Sequence, residues 1–420
     1  MRTQRFLGCA CGAILLSLTA YPADWPQWRG PQRNGVSAET GLLKEWPKQG
    51  PRLVWQAKDI GDGYAAPSVV GNRIYILSNR GLDNEFVQAL STQDSKQVWA
   101  TRLGKVGNPE QMPYFPTARS TPTIDGALLY ALGSDGDLAC LETASGKIRW
   151  RKSLRADFGG HPGQWAYSES PLVDGDVLVV TPGGAQATIV ALNKKTGETI
   201  WKSAVLGGDD AAYASVIIVE TGSRKQYVQF LARGLVGVDA RTGQFLWRYD
   251  ATGKGNTNIP SPLASNGYIY TSQSRGPGGL VRLVAAGQGV AAEQVYLQRG
   301  LPDSVGGSVV VGAIHYGTTG EGLVAADWAT GRVLWQDAGT TGGAILYAED
   351  RLYIHGEDGE VALAEATPDA YRQKGRFMPP DRPKQTRAAM EKAWAYPVVA
   401  NGRLYIRELD SLWCYDISGK

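Results

Sequence analysis

The residues able to grip a ligand or a partner fall in a few short segments. Arg119 and Glu169 each stand two residues or fewer ahead of a Ser/Thr-Pro pair. A guanidinium and a carboxylate so placed either neutralise one another or hold an anionic or sugar-like ligand through paired hydrogen bonds. Tyr64, Asn258 and Tyr396 occupy comparable positions ahead of apolar stretches, Trp394 adds an aromatic wall beside Tyr396, and Arg407 is a further cation near the end. His161 lies in a glycine-rich stretch, GGHPGQWAYSES, with Trp165 and Glu169. The other two histidines, His315 and His355, sit in alternating segments and read as edge or core residues. No serine elbow, HExxH helix or phosphate loop is present. The Asp135-Gly136-Asp137 run reads as a hairpin turn rather than a calcium loop, so no catalytic residue and no metal ligand is assigned.

Such residues need a scaffold, and internal repetition supplies one. Segments 89–99, 140–150, 191–201, 237–247 and 325–335 align without gaps. Each opens on a small residue, carries a Gly-like turn at its centre and closes on Trp. The turn provides the positive φ of a tight hairpin, and the closing aromatic belongs to an outer strand that packs between neighbouring sheets. Upstream of each lies a Ser/Thr-Pro or similar start, a short apolar strand, a turn and an alternating strand, as in SPLVDGDVLVV from Ser170. Four strands per unit of 40 to 50 residues make a propeller blade. Closing aromatics at Trp55, Trp99, Trp150, Trp201, Trp247, Tyr296, Trp335 and Phe377 predict eight blades. Trp55 has no blade before it, and the chain ends one strand short. Joining the two termini in one blade closes the ring and removes a free sheet edge.

Composition agrees with an all-β reading: 53 Gly, 22 Pro, 13 Trp and 19 Tyr among 420 residues mark many short strands and tight turns. The net charge of +3 points to no nucleic-acid surface. Residues 1–23 begin basic, continue through an apolar run at 6–20 and end on small residues, the layout of a secretory signal peptide. The expected organisation is a signal peptide at 1–23, an aromatic and Arg-rich leader at 24–50, and a propeller at 51–420. The leader is too small to form a core. It is expected to cap the propeller, burying Trp25 and Trp28, and to offer a partner surface through Trp25, Trp28, Arg29 and Arg33.

With these segments in view, the sequence resembles the pyrroloquinoline-quinone (PQQ)-like repeat propellers. That family includes quinoprotein alcohol dehydrogenases and the lipoprotein propeller of the outer-membrane β-barrel assembly machine. LETASGKIRW, LNKKTGETIW and VDARTGQFLW carry the resemblance. The opening DWPQWRGPQRNG is similar to a group of exported propellers common in planctomycete and related bacteria. For a dehydrogenase the resemblance implies a quinone stacked on Trp, a Ca²⁺ held by oxygens, an Asp base and a disulfide between adjacent cysteines. Beyond residue 23 the only cysteines are Cys140 and Cys414, both at the small-residue position of the repeat, which suits buried hydrophobes. The resulting expectation is a periplasmic or secreted protein, monomeric and not membrane-spanning. It would act as a non-catalytic binding or scaffold protein for an envelope protein or polymer, with no cofactor. The alternative is a PQQ- and calcium-dependent oxidoreductase, or another enzyme with a site at the channel mouth.

Overall fold

A computed structural model describes residues 24–110, 116–286, 289–383 and 392–419; the expected signal peptide lies outside them. The chain forms eight sheets, each with four antiparallel strands in chain order, arranged as an eight-bladed propeller. Blades 1 to 7 span 68–104, 123–153, 172–203, 217–249, 263–298, 308–337 and 343–377. In blade 8 the strands Val398–Ala400, Arg403–Glu408 and Ser411–Asp416 take their outer partner, Arg52–Ala57, from the other end of the chain. The ring therefore closes through Trp55, as the repeat requires. A short strand, Val36–Ser37, adds in parallel to Gly343–Ala348 of blade 7. No helix among the described residues is long and apolar enough to cross a membrane.

Middle strands are buried on both faces, because each blade is sandwiched between two others; Arg73–Asn79 and Leu128–Leu132 are nearly continuous apolar runs for that reason. Outer strands alternate, as Gln97–Gly104 does. The closing aromatics then bind the ring circumferentially. Trp150 Nε1 donates to the Lys194 carbonyl of the next blade at 3.1 Å, and its indole covers Gly197. Trp55, Trp99, Trp201 and Trp335 make the same bond to Thr92, Thr143, Ala240 and Thr367. Trp247 departs from the rule. Its indole lies over Gly237 of its own blade, where any Cβ would collide, and donates to Gln226 at 2.7 Å. Cys140 and Cys414 are free, buried and paired across their strands with Tyr130 and Tyr405.

First strands touch one another around the axis, so they line the channel. The loops that carry the chain from blade to blade open onto one face, called here the loop face. The turns that follow each first strand open onto the opposite face.

Candidate functional site

The leader fills the channel from the opposite face. Asp24 accepts from the Gly71 amide in the turn after the first strand of blade 1. Trp25 exchanges both backbone hydrogen bonds with Val69, and Pro26 accepts from Ile124 of blade 2. Farther in, Arg33 donates to the carbonyls of Ser170 and Pro171 in blade 3, and Arg29 donates to that of Ser308 in blade 6. Trp28 Nε1 reaches Ser261 Oγ at 3.1 Å and ends a chain of hydroxyl bonds across the strand starts. In that chain Thr121 N donates to Ser170 Oγ, Ser170 N to Ser215 Oγ, and Ser215 N to Ser261 Oγ. The Ser and Thr residues at these strand starts therefore stitch neighbouring blades together. The leader leaves along blades 7 and 8, where Glu39 accepts from the amides of Asn401 and Gly402.

This placement corrects the expected partner surface. Trp25, Arg29 and Arg33 are buried inside the ring and Trp28 is half-buried, so their polar groups serve the channel wall. The expected pair of Arg119 and Glu169 does not form either. Glu169 accepts from Thr181 N at 2.7 Å, Thr181 Oγ1 at 2.9 Å and Gln229, and the positive charge facing it is Arg33. Burial pushes its carboxyl up to about 7. The Asn258 amide is consumed locally, donating to Leu231 and Ala232 and accepting from Lys254. Arg407 is fully buried and spends its donors on Leu409, Ala65, Leu77, Gly61 and Ser78. It is a latch between blades 8 and 1. Tyr396 packs edge-on against Trp28 at 4.4 Å and donates to the Val305 carbonyl, beneath the Arg29 guanidinium. His315 and His355 are core residues, fully buried.

The remaining candidates gather on the loop face. Tyr64 meets Trp394 at 5.1 Å between ring centres, and Arg119 lies over the Tyr64 ring at 5.5 Å. The Arg119 charge also reaches Tyr213, whose ring meets Trp165 at 5.1 Å and whose hydroxyl accepts from the Trp165 amide. Loops leading into blades 8, 1, 2, 3 and 4 thus supply an arc of aromatic rings with one guanidinium among them. His161 is exposed on the same loop as Trp165, its backbone tied to Pro182 and Ala211.

The other half of the loop face holds a cavity of about 670 Å³, which sequence reasoning missed. Its walls come from loops of blades 5, 6 and 7 and from the connection to blade 8, with Arg275, Glu321, Thr340, Asp358 and Lys392 among them. These residues sit in turns and carry no shared motif, so only the folded ring brings them together.

Residues 83–336 match the family model described as outer membrane protein assembly factor BamB. The chain belongs to this family. A BamB of Salmonella typhimurium is 27% identical over 123 residues, 29% of this chain and 28% of that protein. The chain spans less than half the length of the first curated BamB relatives it matches. Among solved structures, BamB from Moraxella catarrhalis aligns with a TM-score of 0.59 at 15% identity, over 88% of this chain and 98% of that one. Quinohemoprotein alcohol dehydrogenase from Comamonas testosteroni aligns with a TM-score of 0.67 at 14% identity, over 94% of this chain and 81% of that one. Likeness at such identity is a likeness of fold.

The dehydrogenase neighbour raises the question of whether a quinone with Ca²⁺ suits this channel. Calcium takes six to eight oxygens. The leader in the channel instead brings two guanidinium groups, Arg29 and Arg33, and the carboxylate of Glu169 and the amide oxygen of Asn258 are already committed. Among the described residues no group of three His, Cys, Asp or Glu side chains is placed to hold a metal ion. The residues present do not fit the group.

Proposed function

We propose that this chain is a non-catalytic binding or scaffold protein of the cell envelope that docks a partner protein or polymer on its loop face. One observation carries the reading. The channel, where a substrate would have to reach polar groups, is filled by the protein's own leader, and Glu169, Asn258 and Arg407 are saturated by neighbouring backbone and side chains. What stays accessible is the loop face, with half-buried Trp165, Arg119 and Trp394. Its relatives are named outer membrane protein assembly factors, and an envelope position reached through the 1–23 signal is part of the same proposal.

Two measurements test it. Purified protein mixed with PQQ and CaCl₂, then desalted, is expected to retain no quinone absorbance and to reduce no dye with alcohols; a retained quinone with turnover overturns the reading. In the native host, a photo-crosslinking residue at position 165 should trap an envelope partner that one at position 72, on the opposite face, does not. Equal trapping from both positions counts against loop-face docking.

A further inference from the structure

We propose that the cavity between blades 5, 6 and 7 is a carbohydrate-binding site for two or three sugar rings; this deepens the loop-face docking reading and rests on it. Its volume, about 670 Å³, falls in the range of small-molecule sites. The chemistry of the lining selects the ligand class. Among the described lining residues Arg275, Arg382 and Lys392 are matched by Glu321, Glu357 and Asp358, a balance that favours neither a phosphate nor a cation. Two of those cations are also engaged within the protein, Lys392 with Glu357 and Arg382 with Glu408. Among the described lining residues few are apolar, and none is a large aliphatic or aromatic side chain that would anchor a lipid or an apolar peptide.

Sugar hydroxyls both donate and accept, and they are met best by fixed carboxylates, guanidinium groups and hydroxyls offered together. That is the set present here. Asp358 is held by Thr341 Oγ1 and the Glu360 amide, which leaves its second oxygen for a ligand. Thr340 is among the lining residues, and its buried Oγ1 has no hydrogen-bond partner. A buried hydroxyl without a partner is costly, and a turn of the Thr340 side chain toward the cavity would let a ligand hydroxyl satisfy it.

The test is calorimetric titration of residues 24–420 with chitotriose, mannotriose, maltotriose and trigalacturonate. At least one is expected to bind with a Kd of about 1 mM or tighter. Arg275→Ala with Glu321→Ala, both exposed positions, should weaken it about tenfold or more, and Thr340→Val, a change of similar shape, should weaken it with the thermal midpoint unchanged. Failure of all four sugars to bind overturns the proposal, as does binding that the double variant leaves intact. So does a polar tripeptide that binds in their place and is lost in the double variant. Position-165 crosslinking separates the two readings. If no sugar binds but the crosslink persists, only the carbohydrate site falls; if a sugar binds and the crosslink is absent, the docking reading falls and the site stands.

Discussion

Arg407 Nη1 donates to the carbonyl oxygen of Leu77 at 2.8 Å, fastening the last blade of the ring to the first through a buried cation. The same guanidinium holds Ala65, Gly61 and Ser78 of the first blade's approach and Leu409 of its own blade. Burial pulls its pKa down to about 9, opposed by the charges of Asp62 and Asp410, so it stays protonated at neutral pH. Trp55 closes the outer rim of the same joint by donating to Thr92. A ring that joins its ends without a covalent bond is thus pinned at both radii.

Removing the inner pin should be severe. Arg407→Met leaves several buried carbonyls without donors, at about 1–3 kcal/mol each where nothing replaces them. A total loss of at least about 3 kcal/mol is expected, read as a lower urea midpoint. Arg407→Lys, with a point charge in place of a planar fork, should recover only part of it. A midpoint unchanged in Arg407→Met would show that the joint depends on its outer rim alone.

The outer rim makes a second prediction. Gly197 holds φ at +75° beneath the Trp150 indole, and an added Cβ would sit 2.8 Å from that ring. Gly197→Ala therefore combines backbone strain with a forced shift of the indole, and about 2–3 kcal/mol should be lost. Trp150→Phe keeps most of the packing and loses the bond to Lys194, for about 1 kcal/mol. Thermal unfolding of the two variants should rank them in that order; the reverse order would mean the glycine seat is dispensable.

The leader should behave as part of the wall rather than as a loose tail. Arg33→Met removes the contacts to Ser170 and Pro171, and hydrogen exchange is expected to speed up at the Val69 and Ile124 amides, which bond to Trp25 and Pro26. Amides of Leu235–Asp239 in blade 4, outside the leader's reach, serve as the control. If exchange rises equally there, the leader supports the whole ring and not the channel alone.

The architecture was legible because the repeat writes each blade locally: a small residue, a turn glycine and a closing aromatic recur, and even the closure through Trp55 follows from a count. The site was less so. Arg407 and Asn258 look like ligand groups on a strand and a strand start, and nothing in sequence tells that backbone carbonyls 330 or more residues away, or 26 and 27 residues upstream, claim their donors. Arg29 and Arg33 read as part of a partner surface in a proline-rich leader, yet a channel is a cavity only in three dimensions. The positive charge facing Glu169 is that of Arg33, 136 positions earlier in the leader, rather than that of the neighbouring blade's Arg119. The cavity of blades 5 to 7 had no local signature, since its residues come from unrelated turns.

Stability should carry the mark of the buried carboxyls. Burial pushes Glu85 and Glu169 up to about 7 from an ordinary 4.5, against hydrogen bonds from Ser134 and Thr181 that favour the charged form. Between those pH values the folded state keeps protons that the unfolded chain has released, so each group makes unfolding easier as pH rises from about 4.5 to 7 and adds no further slope above. Asp303, pushed up to about 6, acts in the same sense. His315 acts oppositely: burial and the nearby Arg29 hold it down to about 3, and it costs stability as pH falls through 6.5 toward that value. The net wild-type slope mixes these, so the informative quantity is a difference. Glu169→Gln removes one titration, and its stability relative to wild type should rise by about 2–3 kcal/mol between pH 4.5 and 8, measured by urea unfolding across that range. A difference that stays constant with pH would mean that Arg33 holds Glu169 ionised throughout, and that the leader and blade 3 share a buried ion pair.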